Sequence, residues 1–89
     1  MKLGCLLGTR KIDLLMQKSN QFSEEINEAI NKFINHDWGD TCPEDELLNN
    51  LALITGERIV AVYTTCYGRV WIISEYARNT TTILFPSEY

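Results

Sequence analysis

Apolar residues recur along this chain at two different periods, and the change falls at Gly56. Upstream of it the spacing is helical. Ile12, Leu15 and Met16 stand at i, i+3, i+4 behind Thr9, whose hydroxyl suits an N-cap, and Ser19-Asn20 breaks the run. Ile26, Ala29, Ile30, Phe33 and Ile34 mark one face of a second helix. Ser23 is its expected N-cap, Glu24 and Glu25 fall in the dipole-favoured first turn, and Phe22 is placed to act as a hydrophobic staple. A third helix begins at Pro43 after Thr41 or Cys42 as cap, with Glu44, Asp45 and Glu46 in its first turn. Leu47, Leu48, Leu51 and Ile54 form its apolar face, and Gly56 is its natural C-terminal stop.

Downstream of Gly56 the period drops to about two. Arg58 to Cys66, Arg69 to Tyr76 and Thr80 to Phe85 are rich in β-branched and aromatic residues. Tyr67-Gly68 and Ala77-Arg78-Asn79 are the expected links, and Pro86 ends the last strand. The pattern predicts an α+β domain: a three-stranded antiparallel meander packed against three helices, with Leu3–Leu7 available as a fourth, N-terminal edge strand.

Composition narrows the functional classes. Eighty-nine residues make one domain, and such a chain buries roughly 60–65% of its unfolded surface, enough for a core without staples. The net charge of −4 argues against direct binding to nucleic-acid phosphates, because the eight basic residues are scattered. Three cysteines, an odd number with no CxxC spacing, suit a reducing cytoplasm better than a disulfide framework. The apolar run near Met1 is too short for a signal segment, and no stretch approaches a membrane span, so a cytoplasmic protein without membrane contact is expected.

Chemistry is sparse by comparison. His36 is the single histidine and stands six residues from Cys42, a spacing that does not by itself build a nucleophile and base. An alternative is a small metal-dependent enzyme in which His36, Asp37 and Asp40, with Glu44, hold a divalent cation. Against it, Asp37 and Asp40 suit turn and cap positions, and Glu44-Asp45-Glu46 answers the helix dipole. Glu75 and Arg78 read as a surface ion pair, and Tyr63, Trp71 and Ile73 as sheet residues. Trp38 lies in a polar turn, where an indole serves either as an anchor in the core or as a contact residue. Eight of the twelve acids fall between Glu24 and Glu46, which makes an acidic face for a basic partner the main functional candidate.

Asp37-Trp38-Gly39-Asp40, Glu44-Asp45, Asn50, Gly56-Glu57-Arg58-Ile59 and Trp71-Ile72-Ile73 form a recognisable series with Glu75, Arg78, Thr81-Thr82 and Pro86-Ser87-Glu88-Tyr89. The series resembles a family of small bacterial proteins carried on plasmids and other mobile elements, over roughly residues 36–89. The chain departs from the family pattern at Tyr76-Ala77, where an acid before the arginine is usual, and at Asn49-Asn50, where Asn-Asp is common. The resemblance implies a non-enzymatic protein that interferes with host defence, as anti-CRISPR and anti-restriction proteins do; an antitoxin or regulatory subunit is a further alternative. The expected partner is the basic surface of a defence nuclease. Asp37, Trp38, Asp40, Glu44, Asp45 and Glu46 are the expected contact face, with Arg78 as an internal anchor or a further contact. No cofactor or catalytic residue is expected.

Overall fold

The computed structural model describes residues 1–89. Strand β1 (Cys5–Gly8) leads into helices α1 (Arg10–Lys18), α2 (Asn20–Ile34) and α3 (Pro43–Thr55). Strands β2 (Ile59–Thr65), β3 (Gly68–Ser74) and β4 (Thr80–Leu84) follow, with short 3₁₀ turns at Tyr76–Arg78 and Pro86–Glu88. The sheet order is β1-β4-β3-β2. The last three strands form the expected antiparallel meander, and β1 joins β4 in parallel, Leu6 facing Thr81 and Leu7 facing Thr82. The α+β architecture stands, with the N-terminal segment as its fourth strand. No helix is long and apolar enough to cross a membrane.

One face of the sheet carries the main core. Ile59, Ala61 and Tyr63 of β2, Val70 and Ile72 of β3, and Ile83 of β4 alternate toward α1 and α2. Those helices answer with Ile12, Phe22, Ile26, Ala29 and Phe33, all buried. Phe22 lies edge-on to Tyr67 and parallel to Phe85, with ring centroids 5.2 and 6.0 Å apart.

The second helix begins earlier than its acids and Ser23 suggest. Ser19 is its N-cap: the hydroxyl accepts the Phe22 N–H at 3.1 Å, while the Ser19 N–H donates to the Leu15 carbonyl and closes α1. One extended residue therefore serves two helices, and Phe22 lies inside α2 as a core residue. Glu24 and Glu25 then fall beyond the first turn, so the helix dipole does not explain them.

The third helix has the expected start at Pro43 and stop at Gly56, whose φ of 80° is left-handed. Its apolar face does not enter the core. Leu47, Leu48, Leu51 and Ile54 are 56–84% exposed, while the inward side of α3 consists of Asn49, Ala52 and the half-buried Leu53. α3 lies along the outer edge of β2, where unpaired backbone groups require polar partners that leucine cannot supply. Asn49, 4% exposed, donates its amide to the Val60 carbonyl at 2.9 Å and accepts the Val60 N–H at 3.3 Å.

Candidate functional site

The turn from Asn35 to Thr41 connects α2 to α3 and is built to close the β2 edge. His36 takes a left-handed φ of 63° at the end of α2, which turns the chain back toward the sheet. The Gly39 N–H donates to the Asp37 carboxylate at 3.0 Å. Gly39 bridges Val62 at a φ of 62°, and a Cβ there would stand 2.5 Å from the Tyr63 ring and 2.6 Å from the Val62 carbonyl. Only glycine fits so close a backbone approach. The Asp40 N–H then donates to the Val62 carbonyl at 2.8 Å, and the Val62 N–H donates to the Thr41 hydroxyl at 2.9 Å. Together with Asn49, these bonds occupy the outward groups of Val60 and Val62.

Trp38 belongs to this closure and offers no contact surface. Its indole is buried, edge-on to Phe33 at 5.4 Å, and its Nε1–H donates to the Asn50 side chain at 2.8 Å. The expectation of Trp38 as a partner-binding residue is corrected: it is an anchor. Arg78 is likewise internal. Ala77 and Arg78 both adopt left-handed φ values, which aims the guanidinium at the Glu57, Ala52 and Glu75 carbonyls, so it ties the end of α3 to the β3–β4 link. Glu75 pairs with Arg58 at 3.4 Å, not with Arg78.

The remaining acids divide between two surfaces. Asp37 and Asp40 line a cleft with Glu25, Glu28 and Lys32, with Tyr63 at its base. Lys32 lies 3.6 Å from Glu28, leaving the cleft net negative. Asp40 accepts the Thr64 hydroxyl at 2.7 Å, and the Tyr63 hydroxyl donates to the Asp37 carbonyl at 2.8 Å. Burial, reinforced by the Asp37 charge, pushes the Tyr63 phenol well above its usual range. Glu25 accepts the Cys66 N–H at 2.9 Å, which holds its carboxyl below the ordinary value.

Glu44, Asp45 and Glu46 sit at the start of α3, beside the exposed leucines. Asp45, Leu48 and Arg58 rim a groove whose floor is Val60, Val62 and Trp71, on the sheet face opposite α1 and α2. Trp71 meets Tyr89 edge-on at 5.4 Å, and Arg58 lies 5.1 Å above the Tyr89 ring. Helical periodicity predicts a core-facing side for this ridge, so neither the ridge nor the groove is legible as a site in the sequence.

His36 stacks on Trp38 at 5.9 Å, and no three His, Cys, Asp or Glu side chains converge as a metal-ligand set, so His36, Asp37, Asp40 and Glu44 do not assemble the alternative centre. The Cys66 thiol is pushed up by its hydrogen bond to Glu25 and by burial. At Cys42 the Asp45 backbone N–H favours the thiolate, but the Asp45 carboxylate, burial and the Glu44 charge outweigh it, so that thiol too is raised. Raised thiols are poor nucleophiles at neutral pH. No protein-family model matches the chain, and no curated protein or solved structure matches it either.

Proposed function

We propose that this protein acts by docking onto another protein, with α3 as the recognition helix. The observation that carries this reading is the outward apolar face: four large aliphatic side chains, all more than half exposed, stand beside three carboxylates. Contiguous exposed apolar surface of this kind marks interaction sites. Leu47, Leu48, Leu51 and Ile54 have the spacing of an amphipathic helix laid into a groove. The neighbouring Glu44, Asp45 and Glu46 select a groove with a basic rim, and the acidic cleft around Asp37 and Asp40 adds long-range attraction of the same sign.

In the finer reading, which rests on the family resemblance and the acidic charge, the partner is a basic, nucleic-acid-handling defence effector of the bacterial host, inhibited by occupation of its basic surface. Capture of purified effectors by immobilised protein tests both levels. Leu51→Glu is expected to abolish capture while the thermal midpoint moves by no more than about 2–4 °C, because an exposed substitution changes stability by only about 0.5 kcal/mol. Charge reversal at Glu44, Asp45 and Glu46 is expected to slow association and weaken its salt dependence. Capture unaffected by Leu51→Glu overturns the α3 assignment. Capture of an effector whose nuclease activity is undiminished overturns inhibition but leaves docking in place.

A further inference from the structure

Where β4 ends, β3 runs on without a neighbour. The Glu75 N–H donates to the Thr80 carbonyl at 2.9 Å, and Trp71 lies opposite Leu84, so alternate residues of β3 turn their backbone groups toward β4. The last of these is Arg69, and the residue across from it is Pro86. Proline has no N–H, and the Pro86 carbonyl accepts the Tyr89 N–H at 3.2 Å. The Arg69 backbone therefore faces that side with no ladder partner.

A hollow of about 520 Å³ lies here, with Lys11 of α1, Tyr67 of the β2–β3 turn, Arg69, Phe85, Pro86 and Ser87 at its walls. No acid lines it. Neither cation is in an ion pair, since the pairs in this chain are Lys32–Glu28 and Arg58–Glu75. The carboxylate of nearby Glu88 is turned to the Thr9 hydroxyl and the Phe85 N–H. The Lys11 ammonium lies 4.8 Å above the Phe85 ring, which fixes it against an apolar floor. Tyr67 is braced edge-on against Phe22 at 5.2 Å and is still 49% exposed. In a chain whose twelve acids outnumber eight bases, two unpaired cations beside open aromatic surface define an anion site of specific shape.

We propose that this hollow binds a nucleoside monophosphate, with the phosphate between Lys11 and Arg69 and the base against Tyr67. A phosphate monoester carries close to two negative charges at neutral pH, which two unpaired cations match. The Arg69 guanidinium offers paired donors to phosphate oxygens, and Ser87 adds a hydroxyl at the wall. Bases of any identity stack on aromatic rings. The ligand is a free nucleotide and not a strand. A polymer would run beyond this hollow onto the surface of a chain with a net charge of −4, which repels its phosphates. The site shares no residue with α3, so it is independent of the docking role.

Titration of the isotope-labelled full chain with adenosine monophosphate, followed by amide chemical shifts, tests it. Saturable shifts are expected at Lys11, Tyr67, Arg69 and Ser87. Adenosine and inorganic phosphate should each bind more weakly by about tenfold or more, the loss that follows from removing one charge-assisted or stacking contact. Lys11→Gln and Arg69→Gln should each weaken the nucleotide by a similar factor. Tyr67→Leu should weaken the nucleotide and leave inorganic phosphate unchanged, whereas Leu51→Glu should alter neither. If a variant fails to fold, the ranking of the three ligands on the native chain decides the question. No shift at these residues in millimolar nucleotide, inorganic phosphate binding as tightly as the nucleotide, or full affinity in Lys11→Gln or Arg69→Gln would overturn the proposal. So would tighter binding of an oligodeoxyadenylate or of a tyrosine-phosphorylated peptide, either of which would assign the hollow to a macromolecule.

Discussion

Helices α2 and α3 both carry large apolar residues at helical spacing and are used in opposite ways. α2 buries Phe22, Ile26, Ala29 and Phe33 against the sheet, whereas α3 turns Leu47, Leu48, Leu51 and Ile54 to solvent and buries Asn49 and Ala52. Periodicity identifies which side of a helix is apolar; it does not say that the fold has room to receive that side. Here α1 and α2 already occupy the core face, and the position left for α3 is a strand edge, whose requirement is hydrogen bonds.

The comparison can be broken most forcefully at Phe33. Phe33→Ala should cost about 3–5 kcal/mol, a large share of the stability of a domain this size, as read by denaturant unfolding. Next comes the inward side of α3 and its tether. Arg78→Ala should cost about 1.5–3 kcal/mol through loss of charge-assisted bonds to carbonyls. Arg78→Lys should recover only part of this, because an ammonium lacks the planar fork that reaches several carbonyls. Asn49→Ala should cost about 1–3 kcal/mol by leaving the Val60 N–H and C=O without partners.

Tyr63→Phe tests the turn that links the two helices. Loss of the bond to the Asp37 carbonyl should cost about 1 kcal/mol at neutral pH. The phenol is raised in the folded protein, so its contribution is complete below the unfolded value of 10 and is lost as pH rises above it. A stability profile should therefore fall on its alkaline side in the native chain and fall less in Tyr63→Phe. Glu25 has the opposite sign: its carboxyl is lowered, so stability should diminish as pH drops below the ordinary 4.5, and less so in Glu25→Gln. The smallest effect belongs to the outward face. Leu51→Ala should change stability by no more than about 0.5 kcal/mol. A loss there as large as that of Phe33→Ala would show that α3 is buried in solution and would end the contrast.

Much of the fold was legible in the sequence. The period change at Gly56, Pro43 at the start of α3 and the β-branched runs correspond to observed elements, because each reflects local backbone preference. The start of α2 was misplaced because Ser23 and its acids resemble a cap, while Ser19, already used to end one helix, is the residue that begins the next. The burial of Asn49 and the exposure of Leu51 follow from tertiary placement, which no local pattern encodes. At the candidate site, the gathering of Asp37, Trp38, Gly39 and Asp40 into one turn was visible, but its edge-closing bonds to Val62 run to a strand more than twenty residues away. The roles of Glu88 were invisible for a similar reason: its carboxylate accepts both the Phe85 N–H and the Thr9 hydroxyl, and the latter spans nearly the whole chain.

The closed β2 edge sets a limit on growth. A sheet open on both sides can recruit copies without end and become a fibre. With Asn49, Asp40 and Thr41 occupying the outward groups of Val60 and Val62, this margin is blocked to an added strand. Asn49 thus guards the β2 edge as well as propping α3. Its replacement by leucine should show itself as concentration-dependent fibrillar aggregation even under conditions where the domain remains folded.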